Sequence, residues 1–518
     1  MRLPRTKNPA RKGIVIFAVL MVIVVLSLAA YQYADYMAGE ARATDRILRT
    51  AEAKALADSG VHYSAALISN TDSFKSVLNG NPYDNPSVFQ GITLTEASNA
   101  KRQGRFSIVG LDYNTLVAGE RLQRHYGAMD ECGRINLNAM MKLDPSGKIL
   151  HDVLLKIPNM TEEIANSICD WIDPDETARS GGAESEYYAA LVPPYRCKNA
   201  PLDSVEELLL VKGVTPELLF GSDRNRNGEM DAGEESSGGA FDAGWAPYFT
   251  VYSRERNVDA TGAQRVNINS KDMSTMVPKL TAAVGQEISD FIMAYRFFDV
   301  VLPGSPPPTN VFPGTPEQLT TQVRKATGGI FSQPRRSVSS IFGLVNAQVT
   351  VTIPVGNQSR VYLFSSPLKA VAKQKETLPI LFDKCTTQST LDLPGRVNIN
   401  TASSAVLSTL PGLSDYVDVL LERRPALGSA ESADPIYQTP AWLLTEASLK
   451  LETLQTIEKY ITTRSQVYRI HSIGYFDGPG PMVRVEAIID TNGGKPRIIY
   501  YRDLTELGQV YSKDLRGR

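Results

Sequence analysis

A short phrase that occurs three times constrains the fold of this chain most strongly. RINLN at 134–138 returns as RVNIN at 265–269 and again at 396–400, so that each copy begins 131 residues after the one before. A constant period indicates duplicated supersecondary units. The sequence therefore predicts three related repeat units, of the kind that usually form scaffold and interaction surface.

Each phrase is followed by a predicted helix–turn–helix pair, and the third pair is the clearest. There, 401–410 and 414–424 carry leucines and valines at helical spacing on either side of Pro411-Gly412. Thr401 or Ser403 is expected to cap the first helix, because a hydroxyl oxygen accepts an otherwise unpaired backbone N–H. Each unit then adds a short helix and is expected to close with a strand, at 249–253, 361–366 and 467–472.

The two asparagines of each phrase are interpreted as structural. Asn side chains bond readily to nearby backbone and favour turns and helix entry. The intervening Ile or Leu would point into the core, and no acid or nucleophile stands at a fixed spacing from the amides. We therefore expect a clasp at the end of a strand that leads into a capped helix.

The N-terminus predicts a membrane segment. Its first thirteen residues carry five Lys and Arg and no acid, and no charged side chain occurs between Lys12 and Asp35. Residues 14–30 are long enough to cross ~30 Å of hydrocarbon as a helix, with the basic flank on the cytoplasmic side. Ser27-Leu28-Ala29 would suit a cleaved signal peptide. However, 31–69 continues in Ala-rich helical style without Pro, which favours one long helix over 14–69.

A basic leader ending in Gly13, followed by an uncharged helix, resembles a type IV pilin or pseudopilin precursor. The resemblance implies peptidase cleavage between Gly13 and Ile14 and methylation of the mature protein. Most members of that family carry Glu five residues after the cut, where this chain has Ala18. This missing acid is similar to one subclass, minor pseudopilin K of type II secretion systems.

The segment 170–219 closely resembles the α-helical domain of that protein K family. It contains a DWxD step at 170–173, GAE at 182–184 followed by two tyrosines, PPY at 193–195 and an SxxEL helix ahead of LVKG at 210–213. The resemblance implies a non-enzymatic subunit at the tip of a pseudopilus, in pseudopilus assembly and protein export. Its implied partners are other minor and major pseudopilins, the inner-membrane secretion platform and secreted substrate proteins. Its implied location is the bacterial inner membrane, single-pass, with most of the chain in the periplasm.

The chain also departs from the family in size. Protein K relatives are usually shorter, and the middle repeat unit reads as an additional copy. This puts in doubt whether the tip assembles with the usual partners.

Residues 223–234, DRNRNGEMDAGE, match a calcium-binding EF-hand loop without a gap. Gly228 stands at position 6, where the loop bends sharply, and Ca²⁺ takes six to eight hard oxygen ligands. The candidate ligands are the side chains of Asp223, Asn225, Asn227, Asp231 and Glu234 and the backbone carbonyl of Glu229. The alternative is an acidic surface loop. A single such loop in an exported protein is expected to stabilise structure.

A second acidic cluster comprises Asp173, Asp175 and Glu184, with Asp170 and Glu176 nearby. Its resemblance to the protein K domain implies calcium binding here too. The spacing alone leaves two interpretations open, a metal site or an acid cluster at a helix end.

The four cysteines, Cys132, Cys169, Cys197 and Cys385, suit an oxidising compartment. Three fall in the first unit, so a disulfide there, Cys169–Cys197, is a candidate, with buried free thiols as the alternative. The four histidines show no ligand or triad spacing, and no GxSxG or P-loop motif occurs, so an enzyme is poorly supported.

Helix-hairpin-helix pairs also occur in DNA-binding proteins, which leaves a membrane-anchored DNA receptor of the competence type as the alternative function. Such a receptor shares VNINTA and LPG, found here at 397–402 and 410–412. Affinity for nucleic acid depends mainly on neutralising phosphates. With 54 Lys and Arg against 56 Asp and Glu, nucleic-acid binding is not favoured.

The fold class expected from these features is α+β. It comprises a transmembrane pilin-like helix and a pilin-like β-sheet head, into which helix-hairpin-helix, SAM-like repeat units are inserted. The predicted divisions are a leader (1–13), a long helix (14–69), the start of the head (70–131), unit 1 (132–253), unit 2 (254–366), unit 3 (367–472) and the C-terminal head strands (473–518). Residues 303–335, rich in Pro, Gly and Thr, are expected to form a surface loop.

Overall fold

A computed structural model of the chain describes residues 12–95, 100–117, 121–231, 233–234, 241–301, 308–328, 333–426, 429, 431–508 and 515. Residues 1–11 of the predicted leader lie outside these ranges.

Helices account for the larger part of the regular structure. The α-helices are α1 (Lys12–Ser69), α2 (Thr71–Ser76), α3 (Pro86–Phe89), α4 (Leu137–Leu143), α5 (Lys148–Leu154), α6 (Glu162–Ile172), α7 (Ser185–Ala189), α8 (Pro216–Phe220), α9 (Met273–Val284), α10 (Gln286–Phe297), α11 (Pro316–Gly328), α12 (Val371–Lys384), α13 (Ser404–Thr409), α14 (Val417–Arg423), α15 (Trp442–Thr445) and α16 (Leu451–Ile457). Short 3₁₀ helices lie at Ala100–Arg102, Glu131–Gly133, Val205–Leu210, Phe342–Leu344, Pro367–Lys369, Ser414–Tyr416, Glu431–Ala433 and Thr505–Leu507.

The strands are mostly short outside the head. They are β1 (Ile92–Thr95), β2 (Gly104–Val117), β3 (Arg121–His125), β4 (Met129–Asp130), β5 (Ile135–Asn136), β6 (Phe249–Thr250), β7 (Arg254–Arg256), β8 (Val266–Asn267), β9 (Asp299–Val300), β10 (Val311–Pro313), β11 (Gln348–Val355), β12 (Gln358–Ser365), β13 (Cys385–Thr386), β14 (Asp392–Pro394), β15 (Val397–Asn398), β16 (Ile461–Thr462), β17 (Val467–Phe476), β18 (Val483–Asp490) and β19 (Arg497–Asp503).

Helix α1 is the single long helix that the sequence predicts. Its side chains are exposed throughout Ile14–Met37, and this part is long and apolar enough to cross a membrane. The second half packs on the head sheet through Ala53, Leu56 and Ala57 and the turns that follow. One helix thus joins a candidate membrane anchor to the core of the head.

The head sheet joins two distant parts of the chain. Its strand order is β1-β2-β17-β18-β19, with β3 added on β2 and β4 on β17, and all of these pairs are antiparallel. The central pair β2 and β17 brings residues before the repeat units against residues after them. The predicted α+β head with inserted units is therefore confirmed.

Each repeated phrase pairs with a strand near the end of its unit. The parallel pairs are β5 with β6, β8 with β13, and β15 with β16. Unit 1 closes where predicted, but units 2 and 3 close at Cys385–Thr386 and Ile461–Thr462. The predicted closing strands 361–366 and 467–472 lie instead in β12, a hairpin partner of β11, and in β17 of the head.

The paired asparagines act as the predicted clasp. In unit 1, Asn136 caps α4 by accepting from the Ala139 N–H at 2.9 Å, and its amide donates to the Ser253 carbonyl at 2.8 Å. Asn138 donates to the carbonyl of Leu202 at 2.9 Å and accepts from its N–H at 2.8 Å. The second asparagine thereby ties the phrase to the segment ahead of the 3₁₀ helix Val205–Leu210.

Units 2 and 3 repeat this contact. Asn269 donates to the Val338 carbonyl and accepts from the Val338 N–H, both at 2.8 Å, and Asn400 donates to the Tyr437 carbonyl at 2.8 Å. Ser403 caps α13 as predicted, while the Thr401 hydroxyl donates to Asp130 instead.

Part of the predicted loop 303–335 is ordered secondary structure. Strand β10 and helix α11 occupy 311–313 and 316–328, whereas 302–307 and 329–332 lie outside the described residues. Pro316 stands at the first helical position, which proline tolerates well, and Leu319 and Val323 are buried one turn apart. The amphipathic spacing thus outweighs the loop-like composition.

Candidate metal centres

The acidic loop at 223–234 closes on itself through carboxylate-to-backbone bonds. Asp223 accepts from the backbone N–H groups of Asn227 and Gly228, both at 2.9 Å. Gly228 makes this bend possible, since its φ of +73° lies in the left-handed region and a Cβ there would lie 2.8 Å from Leu111. The predicted role of Gly228 in the sharp turn matches this geometry.

The far end of the loop folds back onto its beginning. Glu234 accepts from the backbone N–H groups of Arg224 at 3.1 Å and Asp231 at 3.2 Å. The amides of Asn225 and Asn227 both donate to Asp231, at 2.6 and 2.8 Å. The three carboxylates and two amides of the loop are thus bonded to one another or to the backbone of the loop.

Burial makes these carboxylates costly without a cation. Asp223, Asn227 and Glu234 are buried, and burial raises the pKa of Asp223 to about 6. A divalent cation would replace the loop N–H groups and offset this desolvation. The donor set of hard oxygens therefore fits Ca²⁺.

The Glu229 side chain turns away from the loop and pairs with Arg124 at 2.8 Å. A ligand from this position would therefore be the backbone carbonyl, as expected for position 7 of such loops.

The loop is also bonded to the head sheet, a contact that the sequence did not predict. The Leu122 N–H donates to the Gly228 carbonyl at 2.7 Å, and the Arg484 guanidinium donates to the carbonyls of Asn225 and Arg226. Arg484 lies on β18, whose eight residues are all buried. Arg484, the basic residue among the apolar and acidic residues of this strand, was the available signal.

The structure brings Asp173, Asp175 and Glu184 together. One oxygen from each lies within 4.8 Å of the others. Within the described residues, Asp173 Oδ1 is buried without a hydrogen-bond partner, and the buried Glu184 carboxylate lies beside the Cys197 thiol. Burial raises the pKa of Glu184 to about 7 and also raises that of Asp173. An unpartnered buried oxygen in a cluster of this spacing favours a metal site over a helix-end acid cluster.

The other acids of this cluster have protein partners. Asp170 is fully buried and pairs with Arg179 at 2.7 Å, and its other oxygen accepts from the Ala183 N–H at 3.0 Å. Glu176 accepts from the Ser185 hydroxyl at 3.1 Å. Arg179 also pairs with Asp173 at 2.5 Å, and sequence reasoning missed this cation.

The candidate disulfide Cys169–Cys197 is not formed in the structure. Both are free buried thiols, as are Cys132 and Cys385. The Cys169 thiol faces the Gly147 carbonyl at 3.8 Å, and the Cys197 thiol faces that of Asp170 at 3.6 Å. Burial raises the pKa of each to about 12, so both stay protonated near neutral pH. The two thiols contact different parts of unit 1 and bury as small apolar groups.

Comparison with known proteins identifies the domain that holds the second acidic cluster. Residues 133–220 match the family model described as type II secretion system, protein K. Type II secretion system protein K of Pectobacterium carotovorum is 28% identical over 117 residues, which cover 22% of this chain and 35% of that protein. A putative protein K of Escherichia coli K12 is 40% identical over 110 residues, which cover 21% of this chain and 34% of that protein.

The match thus spans about a third of the length of these curated relatives. Among solved structures, the crystal structure of the GspK–GspI–GspJ complex from the type 2 secretion system of enterotoxigenic Escherichia coli is 13% identical. The match covers 88% of this chain and 96% of that one, with a TM-score of 0.37. The resemblance predicted from 170–219 is confirmed, since residues 133–220 match the family model of type II secretion system protein K.

Proposed function

We propose that this chain is a minor pseudopilin of a type II secretion system that takes part in pseudopilus assembly and protein export. The observation that carries the proposal is the combination of a protein K domain with a long helix, apolar and exposed over its first half. In this proposal α1 anchors the chain in the bacterial inner membrane, with the basic flank cytoplasmic and the rest periplasmic.

The exposed apolar face of α1 extends beyond the predicted membrane segment. Ile47 and Leu48 are 70% and 59% exposed, although the head already packs on the same helix from Ala53 onward. Apolar side chains in this place suit packing against the helices of other pseudopilins, minor and major. The inner-membrane secretion platform and secreted proteins are further proposed partners.

The proposed position is the tip of the pseudopilus. Ala18 offers no carboxylate to a subunit stacked above, and the three-unit head is bulky. A subunit that closes a filament requires both properties. The role is proposed to be structural and non-enzymatic.

Calcium is proposed as a structural ion at two places. Asp223, Asn225, Asn227, Asp231, Glu234 and the carbonyl of Glu229 would hold one ion, and Asp173, Asp175 and Glu184 would hold the other. The support is the match of 223–234 to a calcium-binding loop and, in the second cluster, three carboxylates with oxygens within 4.8 Å of one another. Because the first loop bonds to β3 and β18, its ion would also fasten unit 1 to the head.

Co-purification tests the pseudopilin proposal. The full-length chain, extracted in detergent after co-expression with the pseudopilins of the same system, is expected to retain at least one of them. Ile47→Arg should reduce the recovered partner several-fold, because it places a charge in the helix contact. Val371→Arg is the matched control, since Val371 is 62% exposed on a different helix.

Recovery of no pseudopilin, or equal loss with both variants, would contradict the proposal. Binding of duplex DNA that weakens steeply with salt would instead support the receptor alternative.

A further inference from the structure

A cavity of about 270 Å³ lies between repeat units 2 and 3, outside the residues that match protein K. Its walls include the two closing strands β13 and β16 and the segment that leads into α15. It is therefore formed by the contact of two repeat units, at the same structural position in each.

The cavity has an unusual concentration of cations. Arg265, Arg396, Lys459 and Arg464 line it, and the first two are the leading arginines of the repeated phrase. In unit 1 the equivalent Arg134 lies elsewhere, beside Glu131. The duplication has thus placed two copies of one arginine in the lining of the same cavity, where both pair with Glu255.

The buried counter-charges are shared. Glu255 pairs with Arg265 at 3.2 Å and with Arg396 at 2.5 Å, and Asp383 pairs with Arg464. Among the lining residues, Glu458 is the acid, and it accepts from the Ser340 hydroxyl and from the Ile341 and Phe342 N–H groups.

Asp383 also pairs with Lys384, whose other partner is Asp259, so that five cations stand against four carboxylates, 5 − 4, and one positive charge remains at the cavity. Burial lowers the pKa of Arg265 to about 10. Glu255 opposes this effect, and the charges of Arg464 and Arg396 add to it. One further negative charge would therefore relieve the repulsion among these guanidinium groups.

Hydrogen-bond donors remain available for a bound anion. Among the described residues, Arg265 Nη2 and Arg396 Nη1 make no hydrogen bond, and Lys459 Nζ contacts only the Tyr460 ring, at 4.8 Å. Threonine hydroxyls, among them that of Thr387, complete the lining. Guanidinium groups with hydroxyls are the donor set that binds carboxylate and phosphate oxygens, often in a bidentate way.

We propose that this cavity, the interunit cavity, binds a small ligand through a carboxylate or phosphate group held by Arg265, Arg396 and Lys459. The volume admits only a compact molecule, since drug-sized ligand pockets begin at roughly 300 Å³. Bound there, the ligand fastens unit 2 to unit 3. The site is independent of the calcium loops and of the proposed pseudopilin role.

Calorimetric titration of the full-length chain in detergent tests the proposal, with inorganic phosphate and citrate as separate probes and sodium chloride at matched ionic strength as reference. Saturable binding of either probe, with one site per chain, is expected. A response to phosphate alone assigns a phosphoryl ligand, and a response to citrate alone assigns a carboxylate. If neither probe binds saturably at concentrations up to about 10 mM, which would detect a Kd in the millimolar range, the proposal is overturned.

Lys459 provides the variant, because it is exposed and makes no polar bond on which folding depends. Lys459→Gln should weaken binding by about three- to tenfold, the value of one charge-assisted contact. Lys459→Arg should restore it. Lys450→Gln, at the other end of α16, is the matched control and should leave binding unchanged. If Lys459→Gln and Lys450→Gln weaken binding equally, the binding depends on the overall charge of the protein rather than on this cavity, and the proposed site is overturned.

Discussion

At the scale of single residues, the repeated asparagines explain why a five-residue phrase recurs. In every unit the second asparagine bonds the backbone ahead of a short helix late in the unit, although the spacing to that backbone varies between 37 and 69 residues. A short amide that both donates and accepts can join two segments whatever the length of chain between them. The phrase therefore marks the place where each unit closes.

Asn269→Ala should lower the free energy of unfolding by about 1–2 kcal/mol, because two carbonyls and the Val338 N–H lose their partner. Denaturant unfolding of the full-length chain in detergent measures this. Gln358→Ala, an exposed amide in the same unit with no side-chain bond in the described chain, should change stability by less than about 0.5 kcal/mol. Equal effects of the two substitutions would rule out the clasp.

Glu255 predicts a specific acid sensitivity. Burial opposes its ionisation, but Arg396 and Arg265 prevail and lower its pKa from 4.5 to about 2. A lowered folded-state pKa gives stability that is complete above pH about 4.5 and is lost as the pH falls toward 2, on the order of 3 kcal/mol in total. In Glu255→Gln this part of the acid dependence should disappear.

The free energy of unfolding is measured from unfolding curves between about pH 5 and pH 3, where more than half of the change is expected. Glu452→Gln, an exposed glutamate of α16, should keep the wild-type slope. A slope that Glu255→Gln does not alter would contradict the assignment of the buried charge.

At the scale of elements, the long helix shows how far periodicity alone can predict structure. Its extent followed from an uncharged run and an Ala-rich continuation, and the structure confirms it. The sequence did not show where the helix packs on the head, because the close approach of helix and sheet depends on Gly60, a residue without a side chain. A Cβ on Gly60 would lie 2.9 Å from Phe106 Cδ2 and closer still to the Ser472 hydroxyl.

Gly60→Ala should therefore destabilise the head by about 1–3 kcal/mol, even though alanine favours helix. Gly39→Ala is the matched control in the same helix, where a Cβ meets nothing within 4 Å. It should be neutral or stabilising. Thermal unfolding of both variants decides this, and a neutral Gly60→Ala would mean that the helix does not lie against β2 and β17.

The two proposed calcium sites, the loop 223–234 and the cluster of Asp173, Asp175 and Glu184, allow a similar comparison of matched variants. The wild-type chain is expected to bind two Ca²⁺ and to gain about 2.7 kcal/mol from each site at a free concentration 100 times its Kd. Glu234→Gln should reduce the stoichiometry to one. Glu229→Gln should leave it at two, because only the backbone of Glu229 is expected to bind. Calorimetric titration with Ca²⁺ measures the stoichiometry directly. Two ions bound by the Glu234→Gln variant would contradict the assignment of a site to the loop 223–234.

The closing strands mark the limit of sequence-based prediction at this scale. Alternating residues at 361–366 and 467–472 correctly indicated strands, but not their partners. The actual closing pairs are only two residues long, too short for any alternation to show. Strand pairing depends on tertiary contacts, so it could not be read from local pattern.

At the scale of the whole molecule, the repeated phrases, the long apolar helix and the inserted head followed from the sequence because each rests on a long-range regularity or a long apolar run. The sequence also named the acidic positions at 223–234, and Asp173, Asp175 and Glu184, as candidate ligands, and the structure brings the last three within 4.8 Å of one another. What the sequence could not supply are contacts between residues distant in the chain: Arg484 on the candidate calcium loop and the cations of the interunit cavity, and, within unit 1, Arg179 on the acid cluster. These contacts depend on how the chain folds in space.

The N-terminus of the mature protein tests the central claim most directly. The pseudopilin account requires that the apolar half of α1 stays on the chain after removal of the basic leader. N-terminal sequencing of the protein purified from cells that hold its own peptidase should read from Ile14. A terminus near Ala30, with the protein free in the periplasm, would contradict the account.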